Sequence, residues 1–162
     1  MIKKTIQDAL NQQINEELFS AYLYLAMAAQ FSEMNLGGFS HWMEKQAQEE
    51  LEHAMKFYHF INERGGRVEL QAIKGPQKEW DSASRMMTES LAHEEHITEC
   101  IHNLVELATR EKDYATMNML QWFVNEQVEE EAGVTEIVEK LKLIGERGQG
   151  LFMLDRELGA RD

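Results

Sequence analysis

Proline is nearly missing from this 162-residue chain, with Pro76 its only example. A chain with almost no helix breaker, rich in Ala, Leu, Glu, Gln, Met and Lys, reads as mostly helical. Cysteine is as scarce. Cys100 stands alone, which excludes an internal disulfide and fits a reducing compartment. Long apolar runs are absent. The longest stop far short of the roughly 20 residues that a membrane span needs. The opening MIKKTIQDAL enters amphipathic helix without the apolar core of a signal peptide. A protein free of membrane contact, located in the cytoplasm, is expected. Positive charge is also short, with 16 Lys+Arg against 29 Asp+Glu and a net charge of -13. That field repels phosphate backbones, so nucleic acid is not an expected partner, and it suits a protein that attracts cations.

Hydrophobic residues supply 43% of the chain, enough to bury the core of one domain spanning residues 1–162. Glycines mark the breaks: Gly37-Gly38, then Gly65-Gly66 through Gly75-Pro76, and finally Gly145, Gly148 and Gly150. A weaker break falls near Lys112-Asp113. The expected helices are about 5–34, 39–64, 82–111 and 115–144, with a short fifth at about 151–158. Each long segment carries one apolar stripe at helical spacing, such as Ile6, Leu10, Ile14, Ala21, Tyr24, Ala28 and Phe31 in the first. A helix of about 28 residues is about 42 Å long. The first and third connections are short and join antiparallel neighbours. The second, about residues 65–81, can reach about 50 Å and so run the length of a bundle. An all-α, ferritin-like four-helix bundle with one long crossover follows.

Each stripe is interrupted near its middle by residues foreign to a core. Glu17 falls between Ile14 and Ala21, and Glu50 and His53 between Ala47 and Phe57. Glu94 falls between Leu91 and Ile97, and Gln127 and Glu130 between Phe123 and Val134. In an aligned bundle these residues meet at one level. Burying an ionised carboxylate without compensation costs several kcal/mol or more, and no Lys or Arg lies on these faces. Two metal ions would neutralise the cluster. Carboxylates with one imidazole suit iron or manganese better than zinc. Glu50 and His53 form a Glu-x-x-His pair, which puts both donors on one helix face.

Other residues carry two readings. Gln127 is either a hydrogen-bonded core amide or a partner of the metal ligands. Tyr24, on the Glu17 face, either packs in the core, bonds a ligand or takes part in electron transfer. Glu49 and Glu126 flank the metal face, where a peripheral cation site stands as an alternative to the ordinary reading of a solvated acidic run. His93 and His96 point away from the Glu94 face and read as surface residues. His41, His59 and His102 have no convergent partners.

The sequence resembles the bacterial non-haem ferritins over essentially its whole length. The resemblance is carried by Asn-Glu-Glu-Leu at 15–18, Glu-Glu-Leu-Glu-His at 49–53 and Glu94 within His-Glu-Glu-His. Asn-Glu-Gln-Val-Glu-Glu at 125–130 and Gly-Gln-Gly-Leu-Phe-Met-Leu-Asp-Arg-Glu-Leu at 148–158 complete it. It implies a di-iron ferroxidase centre that oxidises Fe(II) with O2 or H2O2. Glu17, Glu50 and His53 form one site of that centre; Glu50, Glu94 and Glu130 form the other, with Gln127 close by. It also implies a third iron site at Glu49, Glu126, Glu129 and Glu130, a tyrosine, Tyr24, beside the centre, and a 24-subunit shell storing ferric oxide, its four-fold axes lined by the fifth helix.

Two relatives differ at identifiable positions. Bacterioferritins place a Glu-x-x-His on the fourth helix and bind haem through a methionine on the second. Here Gln127 and Glu130 stand in the first place and Glu52 in the second, so no haem is expected. Animal ferritins line three-fold channels with an Asp and a Glu, where this chain has Met117 and Leu120. Two other functions fit the same bundle: a di-iron oxidase or peroxidase that stores no mineral, and a helical scaffold without metal.

Overall fold

The computed structural model describes residues 1–162. The stripes become the inner faces of four long helices: α1 (Lys4–Glu33), α2 (Gly37–Glu63), α3 (Ala83–Arg110) and α4 (Tyr114–Ile144). A short α5 (Gly148–Leu158) follows, and there is no strand. α1 pairs with α2 and α3 with α4, while α1 and α3 close the seam between the two hairpins.

Three of the helix ends share one device. The backbone turns left-handed and the following amide returns to a carbonyl of the last turn. Asn35 has φ 61° after α1, and Leu36 N donates to Phe31 O at 2.9 Å. Gly65 has φ 70° after α2, and Gly66 N donates to Ile61 O at 2.9 Å. Lys112 has φ 55° after α3, and Asp113 N donates to Ala108 O at 2.9 Å. Asp113 then caps α4, its Oδ1 accepting from Thr116 N at 3.1 Å and from Arg64 Nη1 at 3.0 Å.

Gly37 and Gly38 open α2 rather than preceding it. Their role is set by α5. Asp155 of α5 accepts from Gly38 N at 2.8 Å and Phe39 N at 3.0 Å, capping α2 from a distant part of the chain. A Cβ on Gly38 would lie 1.6 Å from the Asp155 carbonyl oxygen, so only glycine admits α5 here.

The connection from α2 to α3 runs as a crossover along the outside of α1. Asn11 donates to Arg67 O at 3.0 Å and accepts from Glu69 N at 2.9 Å. Asn15 donates to Ala72 O at 3.1 Å, and Gln30 accepts from Trp80 N at 2.8 Å. These contacts span α1 from residue 11 to residue 30, about 28 Å of helix axis. Backbone groups that have no strand or helix partner are thereby satisfied by amide side chains.

The apolar core is not continuous. One cluster gathers Tyr24, Met27, Phe31, Phe39, Met43, Met86 and Val134 with Leu154 and Leu158 of α5. The other gathers Ile6, Leu10, Ile14, Phe57, Ile61, Ile101, Leu120 and Phe123, whose rings Phe57 and Phe123 stack at 4.0 Å. Between them lies a buried polar layer. No helix is long and apolar enough to cross a membrane.

Candidate metal centre

The layer is built from the residues that interrupt the stripes. α1 supplies Glu17, α2 Glu50 and His53, α3 Glu94, and α4 Gln127 and Glu130, and all are buried. Glu17, Glu50 and His53 offer ligand atoms within 4.8 Å of one another. Glu50, Glu94 and Glu130 do the same, so Glu50 belongs to both groups. A third group joins His53, Glu126 and Glu130.

Hydrogen bonds engage both oxygens of Glu50 and Glu94 but only one oxygen of Glu17 and one of Glu130. Glu17 Oε1 accepts from Gln13 at 2.9 Å, whereas its Oε2 is buried with no partner. That orphaned oxygen lies 3.9 Å from His53 Nδ1, and Glu50 Oε2 lies 3.2 Å from the same nitrogen. Glu94 accepts from the Tyr24 hydroxyl and, at 3.2 Å, from Gln127 Nε2. Gln127 also donates to Glu94 O and Thr98 Oγ1, each at 3.2 Å. Gln46 donates to Glu130 and, at 3.5 Å, to Glu50. Trp122 and Phe123 stand edge-on to the His53 ring at 5.4 Å and 6.0 Å and hold its plane.

Without a cation this layer resists ionisation. Burial, then the neighbouring Glu50, pushes the Glu17 carboxyl well above its ordinary range. Burial raises Glu50 likewise, with Glu94 and Glu130 adding to it. Glu94 is pushed up to about 7 by burial, despite the hydrogen bonds from Tyr24 and Gln127. Glu130 is pushed up to about 7 by burial and then by the Glu94 charge. Tyr24 is held protonated by burial and the charge of Glu94, so its hydroxyl is a donor. Bound cations would reverse this balance by neutralising the carboxylates and giving the orphaned oxygen a partner. The oxygen-rich donor set with a single imidazole suits hard divalent or trivalent ions.

The peripheral acids are arranged differently. Glu126 is half-buried, its Oε1 3.8 Å from His53 Nε2. Burial raises its carboxyl, and Glu129 and Glu49 lie near enough to raise it further. Glu129 is exposed, and Glu49 pairs with Arg161 at 2.7 Å. These three share one edge without converging into a closed set of donors. Met117 is partly buried and Leu120 lies wholly within the core, so neither position presents a carboxylate.

The surface reading of His93 needs correction. Its Nε2 lies 2.7 Å from Ser20 Oγ, and the ring packs edge-on to Phe19 and Tyr24. Burial, then nearby His96, lowers it to about 4, so it is neutral at ordinary pH. Gln13 and Gln46 escape the sequence reading. Both are buried amides one turn before Glu17 and Glu50. Their position on an apolar stripe at i,i+4 from a carboxylate is the signal that would have found them.

A bundle of two helical hairpins joined by one crossover, with buried carboxylates from all four helices, defines a class of carboxylate-rich metal-binding bundles. The comparisons place the chain within that class. A family model described as a ferritin-like domain matches residues 7–144. The chain is 39% identical over 161 residues to a bacterial non-heme ferritin of Staphylococcus aureus (strain USA300), covering 99% of this chain and 97% of that protein. It is 41% identical over 161 residues to one of Staphylococcus epidermidis, with the same coverage of 99% and 97%. Among solved structures it resembles an open pore ferritin from the hyperthermophilic archaeon Archaeoglobus fulgidus. The identity there is 54% and the TM-score 0.98, with 99% of this chain and 98% of that chain covered. This chain belongs to the ferritin family.

Proposed function

We propose that this protein is an iron-storing ferroxidase. The observation that carries the reading is the pair of donor groups sharing Glu50, with the orphaned Glu17 oxygen 3.9 Å from His53 Nδ1. Ferrous ions are the substrate. Glu17, Glu50 and His53 hold one, and Glu50, Glu94 and Glu130 hold the other. Each ion gives up one electron, and dioxygen takes both with two protons and leaves as hydrogen peroxide. Hydrogen peroxide serves as the alternative oxidant. Hard carboxylate oxygens favour the ferric over the ferrous state, which drives the step. Gln127 and Tyr24 hold Glu94 in place by donating to it, and Tyr24 stands ready to supply an electron. Glu49, Glu126, Glu129 and Glu130 form a third, looser iron site beside the centre.

Iron rather than manganese, and no haem, is supported by the likeness to the staphylococcal proteins named as non-heme ferritins. Position 52 points the same way, because an exposed Glu52 is no haem ligand. Ferric product passes into a shell of 24 subunits located in the cytoplasm. Exposed apolar residues support assembly. Tyr22, Leu25 and Leu51 line the α1–α2 face, and Phe152 and Met153 stand 66% and 63% exposed on α5, where copies of α5 would meet at four-fold axes.

The test is stopped-flow oxidation of ferrous ion. Glu50→Ala removes the residue common to both sites and is expected to slow oxidation by at least about 100-fold with helix content unchanged. An oxidation rate equal to that of the native protein would refute the reading.

A further inference from the structure

A second set of donors lies on the opposite, outward side of the α1–α3 seam and takes no part in the centre. Glu16 of α1 and His96 and Cys100 of α3 offer ligand atoms within 4.8 Å of one another. His96 and Cys100 stand one turn apart, which places both on one face of α3. One ring nitrogen faces both partners: His96 Nε2 lies 3.2 Å from Glu16 Oε2 and 3.6 Å from Cys100 Sγ. A single imidazole N–H can serve only one of them. Gln12 donates to the other Glu16 oxygen at 3.3 Å and fixes the carboxylate.

These separations are those of a tetrahedral metal. Zinc bonds of about 2.0–2.1 Å to nitrogen and oxygen and about 2.3 Å to sulfur set N···S near 3.6 Å and N···O near 3.3 Å. Glu16 and Cys100 also line a cleft of about 250 Å³ with Gln12, Gln13 and Leu104, wide enough to hold water beside two of the three donors. His96 is half-exposed, so a cation can enter from solvent.

We propose that Glu16, His96 and Cys100 form an outward-facing site for a borderline-soft divalent cation, zinc above all. The thiolate and imidazole select zinc, while the oxygen-rich centre selects iron, so the two sites sort cations by donor chemistry. Binding replaces the thiol S–H bond by a metal–sulfur bond and releases one proton to solvent. Burial, then the charge of Glu16, pushes the free thiol up to about 11, so this proton is present until the metal arrives. The bound ion joins α1 to α3 across the seam between the hairpins. The donor set of Glu16, His96 and Cys100 stands apart from the ferroxidase reading; only the sorting of iron from zinc rests on that reading.

Cobalt(II) added to the metal-free full-length protein tests the site, because a thiolate ligand gives a charge-transfer band in the near ultraviolet that carboxylates cannot give. The band is expected to level off at the intensity of one thiolate-bound cobalt per subunit, whatever cobalt the carboxylate centre takes up, and to be displaced by Zn(II). It is expected to vanish in Cys100→Ser and His96→Ala and to persist in Glu50→Ala. Ferrous oxidation in Cys100→Ser should match the native rate. No band in the native protein, or a band that survives His96→Ala, would overturn the proposal.

Discussion

At the scale of single residues, the decisive feature is a carboxylate where packing calls for a hydrocarbon. Glu17 is only 1% exposed and leaves one oxygen without a partner, a state that costs about 1–3 kcal/mol for an ordinary polar group. The raised carboxyls give this cost a pH signature. Glu94 and Glu130 keep their protons up to about 7 when folded, against an ordinary value of 4.5. The folded metal-free protein therefore binds more protons than the unfolded chain between those limits. Its stability is expected to fall as pH rises from about 4.5 to about 7, which urea denaturation across that window measures. Metal binding runs the other way. A divalent ion displaces the protons, so its affinity is expected to rise over the same window, with protons released in calorimetry performed in buffers of different ionisation enthalpy. Glu17, Glu50, His53, Glu94, Gln127 and Glu130 were legible in the sequence because a 3.6-residue period exposes any polar residue on an apolar stripe. Gln13 and Gln46 obey the same rule and were hidden only by the blander chemistry of an amide. His93 was not legible, because its burial comes from Ser20, Phe19 and Tyr24 on another helix.

At the scale of elements, the helices followed directly from periodicity and the scarcity of proline. Their ends were legible to within a few residues, since left-handed turns need a glycine, an asparagine or, at Lys112, a tolerated strain. The function of Gly38 was not. A glycine pair reads as a break when only neighbours in sequence are considered. Its purpose appears only when α5 docks, because Asp155 must reach the first amides of α2. Gly38→Ala places a methyl group 1.6 Å from the Asp155 carbonyl oxygen and is expected to cost about 1–3 kcal/mol. The loss should appear as a lower melting temperature and as faster hydrogen exchange in α5 and at Phe39, with α3 and α4 unchanged. The crossover obeys the same rule. Its length was readable from the spacing of breaks, but its path along Asn11, Asn15 and Gln30 was not, because an amide that binds a distant backbone looks like any other polar surface residue.

At the scale of the whole molecule, two apolar clusters bracket one polar layer, and that division organises both stability and chemistry. The clusters hold the hairpins together on either side, so the layer keeps its geometry while remaining poorly compensated by protein alone. Outer apolar residues on α1, α2 and α5 point to further copies of the chain. Sedimentation is expected to give a particle of about 450 kDa, 24 times the 18.8 kDa of one chain, whereas a dimer would favour an oxidase without a mineral store. In the proposed centre Glu50 is shared by two iron ions. Iron-edge anomalous diffraction from crystals loaded anaerobically with ferrous ion tests it most directly. The expected result is two peaks per subunit, one between Glu17, Glu50 and His53 and one between Glu50, Glu94 and Glu130, with Glu50 touching both. A single peak, or peaks away from Glu50, would rule out a carboxylate shared by two ions.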